Sequence, residues 1–312
     1  MLASVQSFSA GSPAVFRRFH GAFHPRIWVH VVEQVGCIDE ALVQNLSGGR
    51  PQLGRRLVGL SLGGLSSVRF QGRTGREFRP GEGLTCDGRG VFQARAENRR
   101  DQPSLSINID WDATYFGSAG VGEPTACTVS QLPRLVRLVA RLRDAIEAGA
   151  HNPERSGPTR ECVADLLALL AADGFDVPRL EAPDLVTQLD PQVCRMSRVL
   201  DHALSRTDEI PMLVDLEGAL GLSKRTVQRL LPGVLAAWGQ DTTLGVDGFR
   251  SIRSQVQLVR ACLVMSHPDA TCERAAELLG FSSPNVLCRA FLKRGLPSPG
   301  RVRERLRELE GG

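Results

Sequence analysis

The chain of 312 residues has only two lysines among its 38 basic side chains, and its eight cysteines include no Cys-x-x-Cys pair. Scattered single cysteines argue against a disulfide framework and a zinc site, and they are typical of reduced thiols. No stretch approaches about 18 uninterrupted apolar residues, and the first part of the chain lacks a basic start followed by an apolar run. We therefore expect a cytoplasmic protein without a membrane-spanning helix, a secretory signal or a membrane partner.

The composition is that of an ordinary globular protein, with 42% hydrophobic and 23% charged residues, which argues against a disordered chain or a fibre. The length predicts about two domains. Residues 191–312 hold 17 basic and 13 acidic side chains, whereas residues 1–190 hold 21 of each. A basic excess confined to the carboxy-terminal part indicates a polyanionic partner for that part.

Short apolar runs separated by glycine-rich turns fill the segment from Arg56 to Trp111 and predict an antiparallel sandwich or barrel. The predicted strands are Leu57–Leu62, Val68–Gln71, Leu84–Cys86, Val91–Arg95 and Leu105–Ile109. Whether residues 1–55 join this sheet is left open.

After Thr128 the apolar period changes to three and four residues, which predicts a first helix that ends at Gly149 and a second over Thr159–Ala172. We expect an amino-terminal domain over residues 1–190, β-rich to about residue 125 and helical over 128–190, because prolines interrupt the segment Phe175–Pro191. The apolar face of the first helix is a candidate dimerisation surface, although such a face more often packs inside its own domain. It comprises Leu132, Leu135, Val136, Val139, Leu142 and Ile146.

From Pro191 onward every segment predicts a helix, so residues 191–312 are expected to form an all-α domain. Two pairs of these helices share one joint, in which a short helix ends at glycine, an apolar residue and a serine follow, and a second helix begins. The joints are Gly221-Leu222-Ser223 and Gly280-Phe281-Ser282, the second followed by Ser283. Glycine permits the tight reversal and serine caps the next helix, which is the logic of a helix-turn-helix. The two copies lie 59 residues apart, with a long amphipathic helix over Phe249–Met265 between them.

Over residues 193–306 the sequence resembles the AraC/XylS family of transcriptional regulators, whose DNA-binding region has two such motifs joined by a linker helix. The match in the second motif consists of Ala276, Gly280, Phe281, Ser282, Arg289, Phe291, Pro299 and Arg303. In the first motif it consists of Leu220–Ser223 and Gln228–Leu230. The resemblance implies a multidomain α+β protein with a small cupin-like barrel and helical hairpin before the all-α domain.

The resemblance also implies that the second helix of each motif contacts promoter DNA. The residues expected at base edges are Lys224, Arg225, Gln228 and Arg229 in the first motif and Ser283, Asn285, Val286 and Arg289 in the second. Those expected at phosphates are Thr226, Lys293 and Arg294. Further implied partners are a second copy of the chain and, as open alternatives, a small-molecule effector and RNA polymerase.

Several positions depart from the family pattern. Glu217 stands where a small residue is usual. Pro232 and Gly233 are expected to shorten the second helix of the first motif, the first recognition helix, and residues 239–248 are expected to form a longer loop than usual. Leu292 and Val302 replace a lysine and an aromatic residue. These departures predict a first motif that is less well formed than the second, and they leave open a degenerate regulator that acts through protein contacts.

A third alternative, a cupin-like enzyme, has the least support in the sequence. His20, His24 and His30 lie near the amino terminus, but Arg56 to Trp111 contains no histidine, which argues against the ligand set of a metal cupin. No cysteine lies beside a base in sequence, and no glycine-rich turn continues into a phosphate loop. We therefore expect no catalytic residues, no metal and no cofactor.

Overall fold

The computed structural model of this chain describes fourteen segments, which cover most of the sequence. They are residues 2–9, 15–24, 26–35, 55–70, 76–87, 92–97, 104–117, 125–151, 157–185, 190–205, 212–237, 248–265, 269–293 and 297–310. Strands dominate before residue 128 and α-helices after residue 132 within these segments. The chain is therefore an α+β protein, as expected.

The described residues form ten strands in two antiparallel sheets. The strands are β1 Leu2–Ser9, β2 Val15–His24, β3 Ile27–Val35, β4 Arg55–Gly63, β5 Leu65–Phe70, β6 Arg76–Phe78, β7 Glu82–Asp87, β8 Phe92–Glu97, β9 Ser104–Asp112 and β10 Thr125–Thr128. The large sheet has the order β1-β2-β3-β9-β4-β7-β10, and the small sheet has the order β6-β5-β8.

The predicted barrel is not closed. β1 and β10 are the edges of the large sheet and do not pair with each other within the described residues. The small sheet contacts the large sheet through Phe78 of β6, which packs against Leu84 and Cys86 of β7. Apolar side chains on the large sheet are instead buried by helices packed on it.

All five predicted strands are present as β4, β5, β7, β8 and β9, with ends that differ by a few residues. The sequence left β1 to β3 unassigned. β3 lacks polar and apolar alternation because both of its faces are buried: Val29 and Val31 lie in one core, and Trp28 and Val32 lie in another. A strand buried on both faces reads as a continuous apolar run, which periodicity does not distinguish from helix.

The described residues also form nine α-helices. They are α1 Leu132–His151, α2 Gly157–Ala172, α3 Pro191–Ser205, α4 Leu213–Leu220, α5 Lys224–Ala237, α6 Gly248–Met265, α7 Cys272–Leu278, α8 Pro284–Lys293 and α9 Pro299–Glu310. None of them is long and apolar enough to span a membrane.

Helices α1 and α2 pack on one face of the large sheet and form the core that we call the sheet core. On α1 the residues Leu135, Val139, Leu142 and Ile146 are completely buried there, together with Ile107 and Ile109 of β9. Leu132 and Val136 pack against the same cluster. Four of the six side chains predicted for dimerisation are therefore buried within their own chain, whereas Leu132 and Val136 remain partly exposed.

A second cluster, the helical core, is built by side chains of α3 to α9. Fully buried residues at its centre include Met196, Leu231, Leu258, Leu287 and Phe291. Trp28 and Val32 of β3 belong to the same cluster. One strand thus contributes to both cores, so the strand-rich and helical parts of the chain share buried surface.

Candidate nucleic-acid interface

The first helix-turn-helix joint connects α4 to α5. Gly221 has φ 65° and ψ 31°, a left-handed conformation that glycine adopts without steric cost. The N–H groups of Gly221 and Leu222 donate to the carbonyl oxygen of Glu217. Oγ of Ser223 accepts the N–H of Thr226 at 3.3 Å and thereby caps α5. The chain ends one helix and starts the next across a short turn.

The second joint, between α7 and α8, repeats this geometry. Gly280 has φ 67°, and the Phe281 N–H donates to the carbonyl oxygen of Ala276 at 2.8 Å. Oγ of Ser283 accepts the N–H of Val286 at 3.3 Å, so the second of the two serines is the cap. Because both turns have a left-handed glycine and a serine cap, the first joint is as regular as the second. The expected weakness of the first motif is not found at its turn.

Both second helices bury an apolar face and expose a polar one. In α5 the buried face includes Val227, Leu230 and Leu231, and in α8 it consists of Leu287 and Phe291. Seven of the predicted DNA-contacting side chains are exposed: Lys224, Arg225, Gln228, Arg229, Asn285, Arg289 and Lys293. Five of these seven are cations, which is the side-chain type that attracts a phosphate backbone.

The other predicted contacts are less accessible. Thr226, Ser283 and Val286 are half-buried, and Arg294 lies outside the described residues. The Thr226 hydroxyl is 3.0 Å from Ser223 Oγ, so it already takes part in the cap of α5.

Contacts from α6 and α9 hold the second joint in place. Nε2 of Gln257 on α6 donates to the carbonyl oxygen of Leu279 at 3.0 Å, directly before the turn. Nη1 of Arg303 on α9 donates to the carbonyl oxygen of Ala270 at 2.6 Å, just before α7. The sequence resemblance singles out Arg303, whereas nothing in the sequence marks Gln257, whose role depends on how two distant helices meet.

The prediction that Pro232 and Gly233 shorten the first recognition helix is wrong, because α5 runs through both to Ala237. An interior proline costs a helix about 3 kcal/mol, but Val234 beyond it is completely buried, and such burial stabilises by about 1.5–3 kcal/mol per large side chain. A Cβ at Gly233 would lie only 3.2 Å from Val193 Cγ2. The glycine therefore lets α3 pack closely against α5.

The face of the large sheet opposite the sheet core is a second candidate site. We call it the polar sheet face, and its residues on the central strands are His30, Ser61, Ser106, Asn108 and Asp110. Nε2 of His30 lies 3.5 Å from Oδ2 of Asp110. Oδ1 of Asn108 lies close above Gly59 on the neighbouring strand, where a Cβ would be only 2.8 Å from this oxygen. Sequence reasoning missed this face, because only the strand register places these residues side by side.

Of the three histidines singled out in the sequence, His30 lies on this face. His20 on β2 is the register partner of His30 on β3, and His24 pairs with Ile27. The His20 and His24 side chains lie outside the described residues. Among the described residues no three or more His, Cys, Asp and Glu side chains form a group that could hold a metal ion.

No family model matches this chain, and no curated protein matches it either. Among solved structures the chain is similar to ToxT from Vibrio cholerae O395, with 11% identity over 92% of this chain and 99% of that one and a TM-score of 0.34. It is also similar to the AraC-like transcriptional activator CuxR, with 13% identity over 78% of this chain and 86% of that one and a TM-score of 0.33. With identities and TM-scores this low, the two similarities decide neither the fold nor the function of this chain.

Proposed function

We propose that this chain is a sequence-specific DNA-binding transcription regulator of the AraC/XylS type, with residues 191–312 as its DNA-binding domain and residues 1–190 as a sensor domain. One observation supports this most strongly. Two helix pairs have the same left-handed glycine and serine cap, and the second helix of each exposes cationic and amide side chains. Such helices are suited to enter the major groove.

The exposed side chains have distinct roles in this proposal. Arg225, Arg229 and Arg289 are suited to guanine, and Gln228 and Asn285 to adenine, because each forms two hydrogen bonds to its base edge. Each such contact is worth about 1–3 kcal/mol of discrimination. Lys224 and Lys293 are charges suited to phosphates, which fix position rather than sequence.

The first test selects bound duplexes from a random library with the full-length protein. We expect two conserved half-sites whose centres are separated by about one helical turn, since each motif reads its own stretch of major groove. A single half-site would mean that only one motif reads DNA. A lack of enrichment at low salt would contradict the proposal and favour the degenerate regulator that acts through protein contacts.

The second test uses variants with equal changes in charge. Arg225→Ala with Arg229→Ala removes two exposed cations from α5, and Arg137→Ala with Arg141→Ala removes two exposed cations from α1. We expect only the α5 pair to weaken binding of the selected duplex. The steepness of its log–log salt dependence should fall by about 0.9 for each phosphate that the variant no longer neutralises. Equal weakening by both pairs would indicate general charge attraction instead.

We also propose that the polar sheet face binds the effector. Half-buried Ser106 and Asn108 offer donors and acceptors to a small polar ligand, and Trp28, on the same face of β3 as His30, belongs to the helical core. A thermal-shift screen of small polar metabolites tests the site. A hit should lose its effect in Asn108→Ala but keep it in Thr114→Ala, which changes an exposed side chain beyond β9.

The same proposal assigns no catalytic step and places the protein in the cytoplasm, with activation and repression of a promoter as its two alternative outputs. A two-fold dimer would repeat this pair of half-sites as an inverted repeat, and its contact surface must differ from the buried face of α1. Sedimentation of the protein with and without a selected duplex measures this directly.

A further inference from the structure

The two motifs share a register that differs by one residue from the spacing of their glycines. We call α5 and α8, the second helices of the motifs, the recognition helices. Gly221 and Gly280 lie 59 residues apart. The serines whose Oγ atoms cap the recognition helices, Ser223 and Ser283, lie 60 residues apart. The second motif therefore has one more residue between its glycine and its cap.

Burial identifies the register counted from the serines as the one in which the recognition helices pack alike. The fourth and eighth residues after the serine are completely buried in both helices. They are Val227 and Leu231 in α5, and Leu287 and Phe291 in α8. Counted from the glycines instead, buried Leu287 would correspond to exposed Gln228. Residues at equal distances from the two serines therefore hold equivalent positions.

The second and sixth residues after each serine form an exposed stripe that we call the reading stripe. The second residue is Arg225 in α5 and Asn285 in α8. The sixth residue is an arginine in both helices, Arg229 and Arg289. All four side chains are exposed. Because residues four apart lie on the same face of a helix, about 6 Å apart along its axis, each stripe offers two hydrogen-bonding side chains to one groove.

The face that carries the reading stripe becomes apolar beyond these residues. The ninth residue after each serine continues the same face, and it is Pro232 in α5 and Leu292 in α8. Both are exposed, and neither side chain has a hydrogen-bonding group. The side chains on this face that can read base edges are therefore confined to the first part of each helix, which is the part that meets the bases in helix-turn-helix proteins.

Arg289 is held beside Asn285 by a hydrogen bond within α8. Its Nε donates to the main-chain carbonyl oxygen of Asn285 at 3.4 Å. A guanidinium has five N–H groups, so this bond leaves the four on the two Nη atoms for O6 and N7 of a guanine. The bond therefore keeps Arg289 on the reading stripe without using the donors that the base requires.

We propose that the two half-sites share one G·C base pair and differ at a second pair, which the first motif reads as guanine and the second as adenine. The shared pair follows from Arg229 and Arg289 at the sixth position. The differing pair follows from Arg225 and Asn285 at the second position. A separation of about 6 Å corresponds to about two base-pair steps of roughly 3.4 Å, so the two pairs lie about two steps apart. This inference rests on the proposed function and specifies its DNA.

The experiment exchanges the residues at the second position and leaves the shared arginines in place. Duplexes are selected from a random library with the full-length protein and with its variants Asn285→Arg and Arg225→Asn. Asn285→Arg should change adenine to guanine at one base pair of one half-site. Arg225→Asn should change guanine to adenine at the corresponding pair of the other half-site. The shared G·C pair should persist in both selections.

Affinity measurements test the same exchange. For two duplexes that differ only at the adenine read by α8, we expect the wild-type protein to bind the adenine duplex about tenfold or more tightly than the guanine duplex. Asn285→Arg should reverse this preference by a similar factor. The matched control is Ser282→Arg, which adds the same charge at an exposed position in the turn before α8 and should change the affinity for both duplexes equally. Circular dichroism of each variant establishes that the helices are intact.

Base preferences that stay the same in both exchange variants would overturn the inference, as would a wild-type selection with a single half-site or with two half-sites that share no G·C pair. A reversal of preference by Ser282→Arg would overturn it too, because added charge alone would then explain the effect. In all these outcomes the protein still selects DNA, so the proposed function remains. A lack of any selected duplex would instead contradict the proposed function, and the inference would fall with it.

Discussion

Two glycines three positions apart on the same short helix should respond oppositely to the same substitution. Gly218 lies inside α4, and a Cβ there would meet nothing within 4 Å. Gly221 ends α4 with φ 65°. Gly218→Ala and Gly221→Ala each add one methyl group, so the two variants have the same composition and their stabilities can be compared directly.

The expected magnitudes follow from the two conformations. Alanine at Gly218 should stabilise the fold by about 0.5–1 kcal/mol, because glycine inside a helix has more chain entropy to lose than alanine. Alanine at Gly221 should destabilise it by about 1–2 kcal/mol, since its Cβ crowds the following carbonyl in the left-handed region. The two variants should thus differ by roughly 2 kcal/mol.

The assay is urea unfolding followed by far-ultraviolet circular dichroism. With a slope of about 1–3 kcal/mol per molar urea, the midpoints of the two variants should differ by about 1 M. Amide hydrogen exchange of residues 213–223 localises the effect, because the Leu222 N–H donates to Glu217 across this turn and exchanges on local opening. Gly280→Ala, at φ 67°, should resemble Gly221→Ala.

The reasoning would be refuted if Gly221→Ala were as stable as Gly218→Ala or more so, because the left-handed turn would then not be required. If both variants shifted the urea midpoint equally and amide exchange at residues 213–223 were unchanged, the change in stability would arise outside the joint. A lower urea slope for one variant alone would indicate that the transition is no longer two-state and would call for exchange data instead.

Three further predictions concern single side chains. Ser223→Ala removes the oxygen that accepts the Thr226 N–H and should lower the free energy of unfolding by about 1 kcal/mol in urea titration. Arg303→Ala removes the hydrogen bond to the Ala270 carbonyl and should cost about 1–3 kcal/mol, whereas exposed Arg301→Ala should change stability by less than about 0.5 kcal/mol. Burial raises the pKa of Cys127 to about 12, so iodoacetamide at pH 8 should label it only after unfolding. Because the unfolded thiol ionises near pH 9 and the folded one does not, the stability that Cys127 contributes should be lost as pH rises from 9 toward 12.

The sequence was sufficient to predict those local structures that a few neighbouring residues determine. The two joints were predictable because a left-handed turn needs glycine and a helix start needs a hydrogen-bond acceptor, and both conditions act within about four residues. The apolar period likewise predicted α1 and its buried face. It did not decide what covers that face, which the structure assigns to the large sheet rather than to a second copy.

The sequence by itself determined the helical carboxy-terminal part, its two glycine hinges and the exposed polar face of each second helix, because these depend on backbone sterics and on a period of 3.6 residues. Only the tertiary structure decided the rest. It left the sheet open, buried β3 on both faces and carried α5 through Pro232. Each of these features depends on which distant surfaces meet, and the free energy of that burial exceeds the local preferences that a sequence displays.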